Sequence, residues 1–259
     1  MSDSATPGAV IAARDLYKAF RVDGRITQAL QGISLEARAG EFVTLIGPSG
    51  SGKSTLLNIL CGLLRAEQGE VLFHGRPASD RALLGRVGYM PQRDLLLPWR
   101  SVLDNVLLGP EIAGRDLALA RREAREALAH FGLAGFEDNY PATLSGGMRQ
   151  RAALLRTFLC RQEVILLDEP LGALDALTRL QLRGWLLDVW SEFRQTVLFV
   201  THDIEEAIYM SDRVYVLSPR PATVVAEIAI DLPRPRGRET TSDPRFAACR
   251  AALFEALGL

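Results

Sequence analysis

The sequence contains few cysteines and no long apolar run, and both absences exclude classes of protein. Only three of the 259 residues are cysteines, Cys61, Cys160 and Cys249, and they lie far apart. A disulfide-based fold or a zinc site is therefore not expected, and the three side chains are interpreted as buried thiols in a reducing compartment. No stretch approaches the roughly 20 apolar residues that a membrane-spanning helix needs. If the protein works at a membrane, another chain must span it.

Net charge is also nearly absent. The formal net charge of −1 at pH 7 provides no general attraction to nucleic acid, so no nucleic-acid partner is expected. Residues 1–8 are polar and lack the apolar core of a signal peptide. With 48% apolar residues, the chain has enough material for one large α/β domain or two small ones.

The most informative stretch that is present covers residues 42–64. Residues 42–46 are apolar or β-branched, which predicts a strand buried on both faces, and a glycine-rich turn then leads into a helix near Ser54. This turn matches the phosphate-loop pattern G-x-x-x-x-G-K-[ST], in which backbone N–H groups surround phosphates, the lysine meets the outer phosphates and the hydroxyl binds Mg²⁺. An ordinary flexible turn would need the match and its strand–helix setting to arise by chance. The residues expected to bind nucleotide here are Gly47, Pro48, Ser49, Gly50, Ser51, Gly52, Lys53, Ser54 and Thr55.

Apolar and amphipathic segments alternate along the rest of the chain. The expected strands cover residues 10–16, 30–37, 70–74, 87–90, 164–167, 197–200, 214–217 and 223–230. The expected helices begin near Ser101, Leu117, Ser145, Asp175, Ile204 and Asp243. In the helix over residues 117–131, the side chains expected to face inward are Leu117, Leu128 and Phe131. The last helix is expected to dock through one face that carries Phe246, Cys249, Leu253 and Leu257.

Three predicted strands end in polar groups: the phosphate loop, the pair Asp168 and Glu169, and His202. Because ligands bind beyond the carboxyl ends of strands in an open parallel sheet, these groups are expected to meet at one nucleotide. Asp168 then fits the carboxylate that holds Mg²⁺, and Glu169 is placed to polarise a water for attack on the γ-phosphate. The alternative for the acidic pair is a helix cap, and a histidine alone is more often structural.

Three other features have open interpretations. Phe20 lies between two predicted strands, where an aromatic side chain more often packs in a core. The proline-bounded loop over residues 91–98 is rich in leucine and is followed by Trp99, which indicates either a satellite core or a docking surface. Ser145 is a credible N-cap, but the two glycines after it are costly in a helix unless the backbone must approach something closely.

Together these motifs resemble the ATP-binding subunits of ATP-binding cassette (ABC) transporters over residues 10–230. The phosphate loop is similar to the Walker A motif, residues 164–168 to the Walker B strand, and residues 144–147 to the signature that is specific to this family. Met148 stands where the family usually has glutamine. The resemblance implies further roles for Gln92 as the Q-loop residue that senses Mg²⁺ and the γ-phosphate, Ala173-Leu174-Asp175 as the D-loop, His202 as the switch histidine and Phe20 as the aromatic side chain that stacks on adenine.

The resemblance implies an α/β fold: a phosphate-loop ATPase core with a parallel sheet, an antiparallel β subdomain and a helical subdomain. The ATPase domain would cover residues 10–230, its helical subdomain about residues 93–163, and residues 231–259 would form an extension with a short helix. ATP and Mg²⁺ are the implied cofactors. The implied residues are Glu169, His202 and Gln92 for catalysis, Ser54, Gln92 and Asp168 for Mg²⁺, and Phe20, the phosphate loop, Ser145, Gly146, Gly147 and Asp175 for ATP.

The resemblance also implies partners. Two copies would face each other head to tail in an ATP-dependent homodimer, so that Ser145 and Gly147 of one complete the site of the other. The segment from Arg93 to Trp99 would dock a membrane permease, which places the protein peripherally on the cytoplasmic face of the cell membrane and links it indirectly to an external solute-binding protein. Short motifs at residues 95–99, 104–106, 148–151 and 218–221 resemble bacterial importers of the nitrate, sulfonate and taurine group.

The main alternative is an ABC ATPase that transports nothing, such as a DNA-repair or translation factor. Such proteins usually carry two cassettes, coiled-coil insertions or zinc-binding cysteines, and the sequence contains none of these. A phosphate-loop small-molecule kinase is a third class, but residues 145–147 would have no role in it. Copurification with a membrane permease separates the first two classes.

Overall fold

The computed structural model describes residues 8–22, 24–172 and 174–259. The strands are β1 (Ala9–Val22), β2 (Arg25–Arg38), β3 (Phe42–Ile46), β4 (Gln68–Phe73), β5 (Arg76–Pro77), β6 (Val87–Met90), β7 (Val164–Asp168), β8 (Thr196–Val200), β9 (Arg213–Leu217) and β10 (Val224–Ala229). The helices are α1 (Lys53–Leu60), α2 (Asp80–Leu83), α3 (Val102–Val106), α4 (Leu108–Ile112), α5 (Leu117–His130), α6 (Gly146–Leu159), α7 (Ala176–Phe193), α8 (Ile204–Met210) and α9 (Pro244–Leu257). Short 3₁₀ helices cover Pro141–Thr143 and Arg238–Ser242.

The central sheet has the strand order β10-β9-β3-β8-β7-β6. Its strands from β9 to β6 run parallel, and β10 is antiparallel to β9. Every residue of β3, β7, β8 and β9 is buried, because a parallel sheet is covered on both faces. The predicted doubly buried strands are therefore confirmed, and their carboxyl ends lie at the same edge.

The sheet separates two apolar cores, and alternate residues of β3 face each of them. Phe42 and Ile46 belong to the core that also contains the helices after β6. Val43 and Leu45 belong to the core formed with α1 and the second sheet. This alternation follows from the two-residue period of a strand, and it anchors the start of the phosphate loop from both sides.

The second sheet is antiparallel, with the order β2-β1-β4-β5. The predicted strands over residues 10–16 and 30–37 were too short, since β1 continues to Val22 and β2 begins at Arg25. The extra residues pair with each other up to the contact of Val22 with Arg25, through several register shifts. The two strands of a hairpin pair through backbone hydrogen bonds, and this pairing does not require an apolar face. The extension therefore shows no hydrophobic pattern in the sequence.

The inward face of α5 differs from the prediction at its first residue. Leu117 is 47% exposed, whereas Ala120, Ala124, Leu128 and Phe131 are buried. Asp116 caps the helix by accepting hydrogen bonds from Ala118 and Leu119. Leu117 is thus in the first turn, and the buried stripe with four-residue spacing starts one turn later.

The C-terminal helix α9 docks through the predicted face. Phe246 and Leu253 are buried, and Cys249 and Leu257 pack against the same core. All three cysteines are free, with Cys61 buried and the other two half-buried. Among the helices of the described residues, none has the length and apolar character that a membrane span requires.

Candidate functional site

The phosphate loop connects β3 to α1 and leaves the start of that helix open. Gly52 is the N-cap of α1 at a φ of 98°, where a side chain would be strained, and no side chain caps the helix. The N–H groups of the first turn have no partner within the helix and point toward any anion in front of it. A Cβ atom at Gly47 would lie 2.8 Å from the carbonyl oxygen of Leu217, so the loop passes directly against the end of β9.

The side chain of Lys53 is hydrogen-bonded to the backbone of this loop. Its ammonium donates hydrogen bonds to the carbonyl oxygens of Gly47 at 2.8 Å and Pro48 at 2.9 Å. Burial lowers the pKa of Lys53, while the nearby Glu169 and Asp168 carboxylates act in the opposite direction. The loop carbonyls therefore fix the position of the ammonium group at the cleft before any phosphate contacts it.

Asp168 ends the buried strand β7 and is itself buried. Burial raises the pKa of its carboxyl group, and hydrogen bonds from the hydroxyl groups of Ser54 and Tyr89 oppose that shift. Tyr89 lies 3.5 Å from Asp168 through its hydroxyl oxygen. The sequence interpretation missed Tyr89, although its position on the predicted strand just before Gln92 places it beside β7.

Glu169 brings the three predicted catalytic groups together. Its carboxylate accepts a hydrogen bond from the side-chain amide of Gln92 at 3.1 Å and lies 3.6 Å from Nδ1 of His202. Its φ is 47°, a conformation that is rare for a residue with a side chain and that is concentrated at functional sites. The residues that follow β6, β7 and β8 thus meet at Glu169.

The phosphate loop and Glu169 line one cleft of about 300 Å³. The lining residues are Ser49, Gly50, Ser51, Gly52, Lys53, Ser54, Thr55, Gln92, Glu169 and Arg220. Arg220 is the unexpected member, because it comes from the turn after β9 and its guanidinium donates to the carbonyl oxygen of Gly50. It belongs to the motif of residues 218–221, which in the sequence indicates a subgroup of the family and does not predict a site residue.

Phe20 is not part of the cleft lining. It is 37% exposed near the tip of the β1–β2 hairpin, with the ammonium of Lys18 5.5 Å from its ring centre. The interpretation of Phe20 as a core residue is therefore wrong. Adenine stacking by this exposed ring stays a prediction.

The signature residues also lie outside the cleft lining. Ser145 is the N-cap of α6 and accepts a hydrogen bond from the N–H of Met148 at 3.3 Å, as predicted. A Cβ atom at Gly147 would lie 3.1 Å from Cγ2 of Thr178, so the signature packs against the start of α7. Asp175 caps that helix, while Ala173 of the predicted D-loop falls outside the described residues.

The loop over residues 93–99 combines an exposed aromatic side chain with a core contact. Trp99 is 71% exposed, but Leu96 is only 7% exposed and belongs to the main core. The buried Asn105 holds the loop, because its side chain accepts from the N–H of Leu97 and donates to the carbonyl oxygens of Leu97 and Arg100. The expectation that Leu96 contributes to an exposed surface is thus wrong.

The oxygen atoms at the cleft fit Mg²⁺. Ser54, Gln92 and Asp168 offer a hydroxyl, an amide and a carboxylate oxygen, which are hard ligands of the kind that this ion prefers. Within the described parts of the chain, no group of three or more His, Cys, Asp or Glu side chains is arranged to hold a metal. A site with few protein ligands suits Mg²⁺, since this ion usually binds one or two carboxylates together with phosphate oxygens.

The comparison with known families shows the family to which the chain belongs. A family model described as ABC transporter matches residues 30–172, which include the phosphate loop, the signature and both acidic residues. The chain belongs to the ABC transporter family of ATP-binding proteins. Among curated relatives of this ABC transporter ATPase, the aliphatic sulfonates import ATP-binding protein SsuB 2 of Burkholderia cenocepacia is 43% identical over 91% of this chain and 86% of its own.

Other relatives of this ABC ATPase carry different names. The formylaminopyrimidine import ATP-binding protein ThiZ of Halalkalibacterium halodurans is 42% identical over 82% of each chain. Among solved structures, the dimeric bacterial ABC transporter cassette MJ0796 has a TM-score of 0.75 at 33% identity, covering 88% of this chain and 99% of that one. A post-hydrolysis dimer of the same cassette, bound to ADP and Pi, matches with the same TM-score at 31% identity. The ABC ATPase fold expected from the sequence is confirmed.

Proposed function

We propose that this ABC ATPase hydrolyses ATP at a site shared between two copies and thereby powers a bacterial importer. The observation that carries the proposal is the arrangement of the motifs. The phosphate loop, Glu169 and Gln92 line one cleft, whereas Ser145 lies at the start of α6, outside that lining. A second copy, turned head to tail, would bring its own Ser145 and Gly147 to the open side of the cleft. The dimeric state of the related cassette MJ0796 supports this arrangement.

In the proposed reaction, each polar group of the cleft has a distinct task. The N–H groups at the start of α1 and the ammonium of Lys53 bind the phosphates. Ser54, Asp168 and Gln92 would hold Mg²⁺, which, when bound, neutralises the charge that develops on the phosphate oxygens. Glu169 orients and polarises the attacking water, and His202 and Gln92 hold the Glu169 carboxylate in position.

The proposed division of the chain follows these tasks. Residues 10–230 would form the ATPase domain, with a helical subdomain over about residues 93–163, and residues 231–259 would form an extension. Phe20 would stack on adenine from the exposed edge of the β1–β2 hairpin, and Asp175 would lie at the contact between the two copies.

The proposed partner is a membrane permease that docks on the exposed Trp99 and Leu95. An exposed aromatic side chain beside an apolar neighbour on a rigid loop is a common binding hot spot. The ATPase would then sit peripherally on the cytoplasmic face of the membrane, with an external solute-binding protein delivering cargo to the permease. The import names of two relatives, one for aliphatic sulfonates and one for formylaminopyrimidine, support the import of a small solute. We propose a solute of the nitrate, sulfonate and taurine group or a related small molecule.

Two variants with separate readouts test the proposal. Lys53→Ala removes the charge that meets the outer phosphates, so ATP turnover by the purified protein should fall to background. Trp99→Ala should leave that turnover unchanged but weaken both copurification with the membrane permease and transport by the complex. Wild-type turnover by Lys53→Ala would overturn the ATPase site, whereas unchanged copurification and transport with Trp99→Ala would overturn the docking surface only.

A further inference from the structure

The turn that joins β9 to β10, residues 218–221, has no role in the chemistry described above. It is nevertheless firmly built. The Ser218 hydroxyl donates to the carbonyl oxygen of Pro219 at 2.9 Å and accepts from the N–H of Thr223 at 3.0 Å. The Ser218 N–H in turn donates to the carbonyl oxygen of Thr223 at 3.0 Å. The turn therefore holds its shape through its own hydrogen bonds.

The chain just after this turn is hydrogen-bonded to β2, the strand that contacts the C-terminal end of the phosphate loop. Ala222 donates to the carbonyl oxygen of Ala29 at 2.9 Å, and its own carbonyl accepts from Gln31 at 2.8 Å. A Cβ atom at Gly52 would lie 2.9 Å from Cδ2 of Leu30 and 3.2 Å from the carbonyl oxygen of Ala29. Leu217 lies against Gly47 at the other end of the loop. The phosphate loop is thus supported at both ends, by β9 and by β2, and the turn that follows β9 is hydrogen-bonded to β2.

Arg220 extends this support to the middle of the loop. Its Nε and Nη2 atoms donate to the same carbonyl oxygen, that of Gly50, at 3.1 and 2.8 Å. The next N–H, that of Ser51, donates to Pro48 at 3.1 Å. The Gly50–Ser51 peptide is therefore held on both of its sides, and the guanidinium that holds it borders the nucleotide cleft.

We propose that Arg220 is a positioning residue that keeps the phosphate loop in its nucleotide-binding shape before the nucleotide arrives. A loop that is ordered in advance loses less conformational entropy on binding, which strengthens affinity without a new contact to the ligand. Arg220 is exposed, so its removal leaves no unfilled space in the core. The effect should consequently appear in nucleotide affinity and not in fold stability. The inference rests on ATP binding at this cleft.

The test compares Arg220→Met, Arg220→Lys and the control Arg122→Met, which replaces an exposed arginine on α5. Calorimetric titrations with ADP and with ATP under non-hydrolysing conditions should show affinities about fivefold to tenfold weaker for Arg220→Met, by equal factors for both nucleotides. Arg220→Lys, which keeps one donor and the charge, should recover part of the loss. In steady-state assays, KM should rise while kcat changes little, and the melting temperature of all three variants should match the wild type.

Three results would overturn the inference. Unchanged nucleotide affinity in Arg220→Met would mean that Arg220 does not position the loop. Weaker binding of ATP without weaker binding of ADP would indicate a direct contact with the γ-phosphate. A fall in melting temperature in both Arg220→Met and Arg220→Lys would indicate a structural role. If the wild-type protein binds neither nucleotide, the proposed function itself is wrong. That result involves no Arg220 variant, so the two failures can be told apart.

Discussion

Glu169 is the proposed base of the site, and its carboxylate contacts the side chains of both Gln92 and His202. Glu169→Gln keeps the size and the hydrogen-bonding atoms of the side chain but removes the base. Hydrolysis should fall by about 10²-fold or more while ATP binding persists. Stopped turnover should then trap the ATP-bound pair, so light scattering should detect a dimer with Mg²⁺ and ATP. A variant that stays monomeric at saturating ATP would contradict the shared site.

The loop after Gln92 provides a second residue-scale prediction, since neighbouring leucines have opposite environments. Leu96 is buried in the main core, whereas Leu95 is exposed with a φ of 44°. Leu96→Asp should therefore lower the free energy of unfolding by about 3 kcal/mol or more, because it buries a carboxylate without a partner. Leu95→Asp should leave stability almost unchanged, since aspartate tolerates the left-handed region better than leucine. Equal urea midpoints for the two variants would contradict this assignment.

At the residue scale, the sequence predicted the groups whose chemistry carries a motif and missed those defined only by contact. The phosphate loop, Asp168, Glu169 and His202 were predictable because strand ends share one edge of a parallel sheet. Arg220 and Tyr89 were missed as site residues, since their partners come from strands far away in the sequence. Leu96 and Leu95 could not be told apart, because a loop has no period that separates its buried side from its exposed side.

At the scale of elements, the segment before α9 carries a buried charge that contacts the C-terminal end of α8. Arg236 is buried and donates to the carbonyl oxygens of Ile208, Tyr209 and Ser211 at the end of α8 and to that of Leu232. Burial lowers the pKa of its guanidinium to about 10, so the group is still charged at neutral pH. It therefore caps the open carbonyl end of α8, with a favourable charge at the negative end of that helix.

Arg236→Met should lower the free energy of unfolding by about 3 kcal/mol, because it leaves buried carbonyl groups without donors. Arg236→Lys should cost less, since it keeps the charge and some donors. Arg250→Met is the matched control on α9: the ion pair of Arg250 with Glu205, at 3.7 Å, is exposed, so about 0.5 kcal/mol or less should be lost. Urea unfolding measures all three, and equal losses for Arg236→Met and Arg250→Met would contradict the capping role.

The elements themselves were predicted unevenly, and the reason is physical. Strands buried on both faces, such as β3 and β7, appear in the sequence as apolar runs. The short helices α2 and α4 were missed, because four or five residues display little helical period. The equally short α3 was predicted because Ser101 marks its start. The outer part of the β1–β2 hairpin was missed for a similar reason, since its backbone pairing requires no apolar pattern.

At the scale of the whole molecule, the sequence could not place the signature relative to the cleft within one chain. The structure puts Ser145 at the start of α6, where its side chain caps its own helix, and puts Gly147 beside the start of α7. An open helix start with two adjacent glycines is suited to an anion that another copy supplies. In the proposed dimer, this surface would act on the ATP that is bound by the other copy.

The shared site predicts the activity of mixed dimers. Ser145→Arg fills the start of α6 and should abolish turnover, while costing the fold only about 1 kcal/mol from the lost cap. Lys53→Ala should also be inactive, because it damages the opposite half of the site. When the two variants are mixed, random pairing makes about half of the dimers mixed, and each mixed dimer contains one intact site and one doubly damaged site. Turnover should therefore return to about a quarter of the wild-type rate if one intact site suffices.

The matched control for this experiment is a mixture of Lys53→Ala with Glu169→Gln. Both substitutions damage the same half of the composite site, so a mixed dimer has one defect in each of its two sites and no intact site. This mixture should remain as inactive as its components at every mixing ratio. Full activity of Ser145→Arg on its own would mean that each chain hydrolyses ATP without its partner's signature. Recovery in the control would mean that Lys53 and Glu169 of one site come from different chains, which would contradict the proposed arrangement. Recovery only in the first mixture, with a maximum near equal amounts, requires that Ser145 of one chain acts on ATP held by Lys53 of the other.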